Sequence, residues 1–190
     1  MASEPITAQS TLTLAGSGVS IPPLGVGTWA WGDTETWGYQ GYDKELGFES
    51  IRAAYARSIE CGVTFFDTAE GYGHGESERI LARLAKSEPA LTERAVIATK
   101  FVPFPWRRPF ARKLRASLDA SLVRLERSFV HLYQIHGPIS FAPASALAAP
   151  LADAHKAGLV KAVGVSNYSE REMRAIHREL DRRGVPLASN

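Results

Sequence analysis

The chain of 190 residues carries a formal net charge of +2, with 45% hydrophobic and 22% charged residues. This composition is that of an ordinary globular protein, and the length suits a single domain over residues 1–190. So small a net charge argues against a nucleic-acid partner. No stretch reaches the roughly 18 consecutive apolar residues that a membrane span needs, so no membrane partner is expected.

The single cysteine and the N-terminal residues bear on the cellular compartment. Cys61 has no second cysteine to pair with, which excludes an internal disulfide and a four-cysteine zinc site and fits a reducing compartment. Because it closes a helical pattern just before Gly62, we expect its thiol to be buried. No basic residue precedes Lys44, which argues against a transit peptide or a secretory signal. The sequence therefore predicts a cytoplasmic protein.

No pair of its histidines has metal-ligand spacing, so no metal site is expected.

A hairpin and a longer strand open the chain, and a regular alternation follows. Residues 11–14 and 19–21 alternate in polarity around a glycine-bearing turn, and residues 22–29 form the next predicted strand. A loop rich in glycine and tryptophan covers residues 30–42. Beyond it, helices are predicted over 44–61, 76–85, 110–125, 144–157 and 170–183, and strands over 63–67, 95–100, 130–136 and 161–165, with a last strand starting at 185–188.

The alternation of strands and helices predicts an α/β fold with a parallel sheet. Successive strands begin roughly every 25–35 residues, as expected for βα units. Both a doubly wound open sheet and a (β/α)₈ barrel would give this pattern. A complete barrel usually takes about 250 residues, more than this chain contains.

Ionisable residues of complementary type follow the ends of consecutive predicted strands. Asp67 ends one strand and Tyr72 comes shortly after it, Lys100 ends the next strand, and His136 ends the one after that. Because parallel βα strands point their carboxyl ends to one side, these side chains should converge on one mouth. A buried lysine needs a carboxylate partner, and a cation beside a tyrosine favours its phenolate. The cluster predicts proton delivery to a developing alkoxide.

Each member of this cluster also has a simpler interpretation. Asp67 could cap a turn, Tyr72 could be a packing aromatic, and His136 could be a core histidine with satisfied hydrogen bonds. Lys100 could instead form a Schiff base with a carbonyl substrate. Taken singly, these residues leave the alternatives open.

Two further segments lie at predicted strand ends. Gly71-Tyr-Gly73-His-Gly75 follows a strand and opens a helix, as a dinucleotide-binding turn does. Its spacing, however, is not the Gly-x-Gly-x-x-Gly of such turns. The next strand also ends in a lysine and not in the acidic residue that would bind a ribose. A loop that turns sharply to bring its tyrosine over the strand ends explains the glycines better. Ser166 and Asn167 end a later strand, where they could cap the next helix or direct amide hydrogen bonds into the mouth.

Tryptophans are concentrated in the loops that follow predicted strands. Trp29, Trp31 and Trp106 all have this placement. Several exposed tryptophans at such positions favour an aromatic-lined pocket over core filling. We therefore expect Trp29 and Trp106 to line a substrate pocket.

Taken together, the motifs resemble those of the aldo-keto reductase superfamily. The resemblance runs from about Thr11 to the last residue and lies in FFDTAEGYGHGESE, IATKF, LYQIHGP and KAVGVSNYS, which occur in the family's order and at similar intervals. It implies a (β/α)₈ TIM barrel whose floor is closed by the N-terminal hairpin. It also implies an oxidoreductase that reduces aldehydes and ketones with NADP(H).

The resemblance implies roles for individual residues. Tyr72 resembles the general acid of the family, Lys100 and Asp67 the pair that tunes it, and His136 the residue that orients the substrate carbonyl. Ser166 and Asn167 resemble the residues that hold the nicotinamide carboxamide of the cofactor. Thr28 and Trp29 resemble the cofactor-side and pocket-side residues of the first strand.

The main departure from the family pattern lies at the C-terminus. Family members continue beyond Asn190 with a glutamine, a stacking aromatic and the segments that grip the cofactor phosphates. The expectation is therefore an incomplete barrel of about five to six βα units, truncated at the C-terminus, with open sheet edges through which the chain could associate with itself. An alternative to an enzyme is an inactive or regulatory fragment that serves as a binding scaffold.

Overall fold

The computed structural model describes residues 10–41 and 45–190, and it opens with the predicted β-hairpin. Strands β1 (Leu12–Thr13) and β2 (Ser20–Ile21) pair antiparallel. The turn between them contains Gly16 in a left-handed conformation. A Cβ atom there would lie 2.2 Å from Cγ of Pro186, so the glycine lets the hairpin turn contact a distant part of the chain.

A parallel six-stranded sheet forms the centre of the molecule. Its strands are adjacent in the order in which they occur in the chain: β3 (Gly25–Gly27), β4 (Phe65–Asp67), β5 (Val96–Phe101), β6 (Val130–Ile135), β7 (Val160–Val165) and β8 (Leu187–Ser189). A doubly wound sheet reverses its strand order at a switch point, whereas a barrel adds each strand beside the previous one. The sequential order is that of an incomplete (β/α)₈ barrel, with β3 and β8 as its open edges.

Helices connect the strands at the places that the apolar periodicity predicts. They are α1 (Phe48–Glu60), α2 (Glu76–Ser87), α3 (Pro89–Thr92), α4 (Phe110–Leu125), α5 (Ala144–Lys156) and α6 (Glu170–Asp181). Only the short α3 was not predicted. The prediction for α1 began at residue 44, which lies outside the described residues. The helix itself starts after Gly47, whose N–H donates to the Ser50 hydroxyl at 3.1 Å.

The two faces of the sheet are buried in different ways. The outer face packs against the helices in one large apolar core, in which Phe66, Ile97 and Leu118 are almost fully buried. The inner face carries a smaller cluster of Leu14, Ala98, Leu132 and Ala162, of which Leu14 comes from the hairpin. Because side chains alternate along a strand, this assigns Ala98 and Lys100 to the inner face and Ile97 and Thr99 to the outer one. The hairpin therefore covers the floor of the inner face.

The prediction of a buried thiol at Cys61 was wrong. Cys61 is exposed, at the residue that follows the last turn of α1. The buried stripe of this helix is formed by Ile51, Tyr55 and Ile59, and Cys61 falls outside it.

Within the described part of the chain, no helix is long and apolar enough to cross a membrane.

The side chain of His131 bonds a backbone group near the start of β5. Its Nδ1 accepts a hydrogen bond from the backbone N–H of Ile97 at 3.0 Å. Burial, helped by the nearby positive charges of Arg127 and Lys161, lowers the pKa of His131 to about 4. The ring also packs edge-on against Phe129, so the neutral imidazole is the form that fits this place.

The stability of the fold should therefore fall in mild acid. In the unfolded chain His131 takes up a proton below its ordinary pKa of about 6.5, whereas in the fold it resists protonation until about pH 4. The stabilisation is complete above about pH 6.5 and is lost as the pH falls towards 4. We expect about 2 kcal/mol of the free energy of unfolding to disappear over this range for this residue alone.

His131→Asn provides the comparison, because its amide oxygen can accept from the Ile97 N–H without titrating. Urea denaturation of both proteins at several pH values between 7.5 and 4.5 measures the effect. Parallel pH profiles for the two proteins would contradict this role of His131.

Candidate active site

The loop after β4 folds back over the carboxyl ends of the strands. It leaves the sheet at Gly71 and forms a tight turn over Tyr72–Gly75, in which Gly73 has a left-handed backbone (φ 53°). A Cβ atom on Gly73 would lie 2.6 Å from the carbonyl oxygen of Gly32 in the first loop. Glycine is therefore needed where the two loops touch, and this turn directs Tyr72 back towards the mouth.

Lys100 is the centre of the site and is only 4% exposed. Its ammonium Nζ donates to Oδ2 of Asp67 at 2.5 Å, to the backbone carbonyl of Thr68 at 3.0 Å and to the hydroxyl of Tyr72 at 3.2 Å. A buried ammonium has three protons to place, and here each finds an oxygen. The structure thus brings together Asp67, Tyr72 and Lys100, as the sequence predicts.

This environment favours a charged lysine over a nucleophilic one. A Schiff base needs a neutral amine with a free lone pair, whereas Nζ of Lys100 donates to three acceptors, one of which is the carboxylate of Asp67. The Asp67 carboxylate, 2.5 Å from Nζ, is the counter-ion of this ammonium. The ammonium in turn supplies positive charge beside the Tyr72 oxygen.

His136 completes the cluster on the side of the next strand. Its ring packs edge-on against Tyr72 with 5.5 Å between the centroids. Burial, and then the charge of Lys100, lowers the pKa of His136, so the ring is neutral. Its Nδ1 is buried and makes no hydrogen bond within the described residues. An unpaired buried N–H costs more than an unpaired lone pair, which assigns the ring proton to Nε2.

Ser166 and Asn167 follow β7 at the same side of the sheet. Asn167 has a left-handed backbone (φ 61°), and its side-chain Nδ2 donates to the backbone carbonyl of His136 at 3.1 Å and to Oγ of Ser166 at 3.0 Å. The amide therefore ties the segment after β7 to His136, the residue that follows β6. The helix cap is supplied elsewhere, because it is Ser169 that accepts from the N–H of Glu172.

Thr28 lies deeper than the other predicted residues. It is fully buried, and its hydroxyl donates to the carbonyl of Asp67 at 3.0 Å and shares a hydrogen bond of 2.7 Å with Oγ of Ser77. Ser77 also bonds the hydroxyl of Thr68. Thr28 thus joins the end of β3 to β4 and α2, and direct contact of its side chain with a cofactor stays a prediction.

Aromatic side chains border the mouth. Trp29 is 51% exposed and stacks on Tyr72 with 6.2 Å between ring centroids, while Trp37 packs edge-on against Trp29. Trp106 is 75% exposed and stacks on Phe104 in the loop after β5. Trp29 therefore lies against the Tyr72 ring, and the pocket role of Trp106 stays a prediction.

The expectation that Trp31 is one of the exposed tryptophans was wrong. Trp31 is 7% exposed and packs against Phe66, with 6.2 Å between their ring centroids. Only Ala30 separates it from Trp29, and the turn here directs one indole to the mouth and the other into the core.

Two polar residues of the site were missed at the sequence level. Glu70 accepts hydrogen bonds from the loop after β5, and Gln134 lies on β6 directly beside Lys100 in the sheet register. The amide Nε2 of Gln134 donates to the carbonyl of Val165 at 3.1 Å, while its Oε1 is buried without a partner among the described residues. The signal for Gln134 was available, because a glutamine inside an apolar strand pattern is a buried polar group that needs partners.

The cluster offers a hydroxyl, a buried ammonium and a neutral imidazole on one side of the sheet. Such a set can donate hydrogen bonds to an oxygen atom and deliver a proton to it as negative charge develops. Within residues 10–41 and 45–190, no group of three or more His, Cys, Asp or Glu side chains is arranged to hold a metal ion.

Curated relatives share this chain's sequence over most of its length. Pyridoxal reductase, chloroplastic, of Arabidopsis thaliana is 40% identical over 185 residues, which cover 90% of this chain and 48% of the relative. Aldo-keto reductase YhdN of Bacillus subtilis is 35% identical over 167 residues, covering 85% of this chain and 48% of the relative. The chain thus spans about half the length of these relatives.

Solved structures agree with these relatives. The thermostable aldo-keto reductase Tm1743, crystallised with the inhibitor epalrestat, superimposes with a TM-score of 0.77 at 30% identity, over 95% of this chain and 61% of that one. An aldo-keto reductase of Klebsiella pneumoniae in complex with NADPH gives a TM-score of 0.71 at 25% identity, over 87% and 52%. The model of the Aldo/keto reductase family matches residues 23–190, and the chain belongs to this family.

Proposed function

We propose that this chain acts in the NADPH-dependent reduction of an aldehyde or ketone, with Tyr72 as the general acid. The observation that carries the proposal is the three-way contact of the buried Lys100 ammonium with Asp67, the Thr68 carbonyl and the Tyr72 hydroxyl. An ammonium 3.2 Å from a phenol oxygen stabilises the negative charge left when the phenol gives up its proton. Tyr72 can therefore protonate an alkoxide as it forms.

Lys100 and Asp67 divide the electrostatic work. Lys100 supplies the positive charge next to the Tyr72 oxygen, and Asp67 keeps that charge in place at low cost by compensating for its burial. The Asp67 carboxylate is itself partly exposed and does not contact Tyr72 in the described hydrogen bonds. Its role is to hold the lysine rather than to transfer the proton.

His136 would orient the substrate carbonyl. With the proton on Nε2, a neutral imidazole can donate one hydrogen bond to a carbonyl oxygen at the mouth, beside the Tyr72 ring. Two donors aimed at one oxygen stabilise the charge that develops there better than one. The lowered pKa of His136 keeps the ring in this donating form at neutral pH.

The residues at the end of β7 fit a nicotinamide carboxamide. In Asn167 the amide Nδ2 is already committed to His136 and Ser166, while Oδ1 makes no hydrogen bond within the described residues and is free to accept one. Ser166 adds a hydroxyl at the same edge. NADP(H), the cofactor present in the Klebsiella pneumoniae complexes, would supply a hydride there. Ser166 and Asn167 after β7, and Thr28 after β3, are the residues proposed to hold it.

The substrate is proposed to be a small carbonyl compound that enters past exposed aromatic side chains. Trp29 lies over the Tyr72 ring, and Trp106 extends from the loop after β5. One relative is named for the reduction of pyridoxal, which fits an aldehyde substrate for this chain as well. A cytoplasmic location and self-association through the edges β3 and β8 are proposed on the sequence and the open sheet.

Replacing the proposed acid tests the mechanism. Tyr72→Phe removes only the hydroxyl and keeps the ring that packs against Trp29 and His136. We expect the kcat for reduction of 4-nitrobenzaldehyde by NADPH to fall about 100-fold or more, because general acids contribute about 10²–10⁴-fold. NADPH oxidation followed at 340 nm measures it.

Tyr39→Phe is the matched control, because its hydroxyl is buried without a partner among the described residues and lies outside the site. It should leave kcat unchanged. Full activity of Tyr72→Phe would refute the assigned acid. If the unmodified chain neither binds NADPH at micromolar concentration nor turns over, the alternative of an inactive binding scaffold is favoured instead.

The Lys100–Asp67 pair also makes a prediction about stability. Asp67→Asn leaves a nearly inaccessible ammonium without its counter-ion, and breaking a buried pair from one side costs about 3 kcal/mol or more. Since Asp67 is partly exposed, we expect a loss of about 2–3 kcal/mol in the free energy of unfolding. Lys100→Met in the same background should recover part of it, because the uncompensated charge is then gone.

Urea denaturation of the wild type, both single variants and the double variant at pH 7 measures this cycle. The double variant should be more stable than Asp67→Asn alone. Additive effects of the two substitutions would show that the pair is not energetically coupled.

A further inference from the structure

Glu70 is a largely buried carboxylate beside the site, and the mechanism above does not use it. It lies between β4 and Tyr72, and its side chain is 13% exposed. We propose that Glu70 is a positioning residue that holds the end of β5, and with it Lys100, in register with the loop that carries Tyr72. The proposal rests on the proposed function for its catalytic meaning, while its geometric content can be tested without turnover.

The backbone hydrogen-bond ladder between β4 and β5 changes its pattern at Glu70. The ladder continues beyond the end of β4. The N–H of Thr68 donates to the carbonyl of Ala98 at 2.9 Å, and the N–H of Glu70 donates to the carbonyl of Lys100 at 3.3 Å. In a regular parallel ladder the next donor, the N–H of Val102, would go to the backbone carbonyl of Glu70. Here it goes to the side-chain Oε1 of Glu70 at 2.7 Å instead.

The consequence is that the chain can leave the sheet one residue early. Because the carboxylate takes over the acceptor role, the backbone after Glu70 is free to turn at Gly71 and place Tyr72 over the mouth. At the same time the N–H of Val102 stays satisfied, so β5 does not fray just after Lys100. The Glu70–Val102 hydrogen bond therefore lies two residues before Tyr72 in the segment after β4 and two residues after Lys100 at the end of β5.

The Glu70 carboxylate also holds the loop after β5. The Glu70 carboxylate pairs with the guanidinium of Arg107, at 2.5 Å to Nη1 and 3.2 Å to Nη2, and also accepts from the hydroxyl of Ser117 on α4. Arg107 donates in turn to the carbonyl of Val102 at 2.8 Å and lies over the ring of Phe101 at 4.5 Å. Both backbone polar groups of Val102 are therefore held by this one ion pair.

The loop fixed in this way belongs to the mouth. It carries Phe104 and Trp106, which stack at 4.6 Å, and the N–H of Arg107 closes it on the carbonyl of Phe104 at 2.9 Å. A buried ion pair is weak evidence for a contribution to stability, because desolvation offsets much of the attraction. Its contacts with the backbone next to Lys100 give it a geometric role instead.

Glu78 supplies a matched comparison within the same chain. It too is buried, accepts from a hydroxyl (Thr99 Oγ1, 2.6 Å) and pairs with an arginine (Arg124 Nε, 2.6 Å). It lies on α2, however, and the described hydrogen bonds of its carboxylate include none to the backbone at the end of β5. A loss of charge at Glu78 should therefore destabilise the fold without moving the Tyr72–Lys100 contact.

The test compares Glu70→Gln with Glu78→Gln in the full chain. Hydrogen exchange of the Val102 amide reports the contact itself, and the ¹³Cζ resonance of Tyr72, from labelled tyrosine and identified with Tyr72→Phe, reports its contact with Lys100. In Glu70→Gln we expect Val102 to exchange at least tenfold faster than in Glu78→Gln, and the Tyr72 resonance to shift. In Glu78→Gln that resonance should match the wild type.

A milder variant covers the case in which Glu70→Gln fails to fold. Ser117→Ala removes one hydrogen bond to the Glu70 carboxylate and keeps the ion pair, so it should change both signals in the same direction but less. An unmoved Tyr72 resonance in Glu70→Gln, or in Ser117→Ala if that is the variant that folds, would overturn the proposal, even if Val102 exchanges faster. Glu70 would then be a structural clamp only.

Kinetics separate this proposal from the proposed function. If the wild-type chain reduces 4-nitrobenzaldehyde, Glu70→Gln should lower kcat about tenfold more than Glu78→Gln does, and an equal effect of both variants would count against positioning. If the wild-type chain shows no turnover, the proposed function fails, whereas the Tyr72 resonance still decides whether Glu70 positions the pair.

Discussion

The burial of one ammonium group constrains the whole mouth of this sheet. Lys100 is nearly inaccessible, so its charge must be satisfied by protein oxygens, and all of its described acceptors come from the segment that begins at the end of β4: Asp67, the carbonyl of Thr68 and the hydroxyl of Tyr72. This segment must therefore fold back over β5 rather than continue along the sheet. The geometry that the proposed proton transfer needs is the same geometry that satisfies the buried charge with hydrogen bonds.

The register of β5 in the sheet places Lys100 at the mouth. At this point β5 carries a polar residue on each face of the sheet. Thr99 points outward and donates to the buried carboxylate of Glu78, while Lys100 points inward and donates to Asp67. A slip of one residue would exchange the two faces and bury each polar group away from its partner. The small inner residues Ala98 and Ala162, with Gly164 near the top, leave room for these inward polar side chains.

Much of this arrangement could be predicted from the sequence, because its signals are local. The alternation of apolar patterns located the sheet and its connecting helices, and the position of Asp67, Lys100 and His136 at strand ends was enough to bring them together. Glu70 was missed because a glutamate next to a glycine looks like a solvated turn residue, and only the tertiary structure brings Val102 and Arg107 to it. The prediction that Trp31 is exposed failed for the same reason. Trp31 packs on Phe66 because of a turn in the loop, and the periodicity of the sequence does not indicate such a turn.

The arrangement of charges also explains why one loop can be both irregular and well fixed. After β4 the chain gives up strand geometry within a few residues, and side chains then bond both backbone polar groups of Val102: the Glu70 carboxylate accepts from its N–H, and Arg107 donates to its carbonyl. At β3 the Thr28 hydroxyl adds a second donor to the carbonyl of Asp67, which already accepts from the Thr28 N–H. Side chains thus extend the sheet by one layer beyond its strands. The proposed catalytic cluster lies next to these contacts, so its positions depend on the polar side chains behind it as much as on the strands.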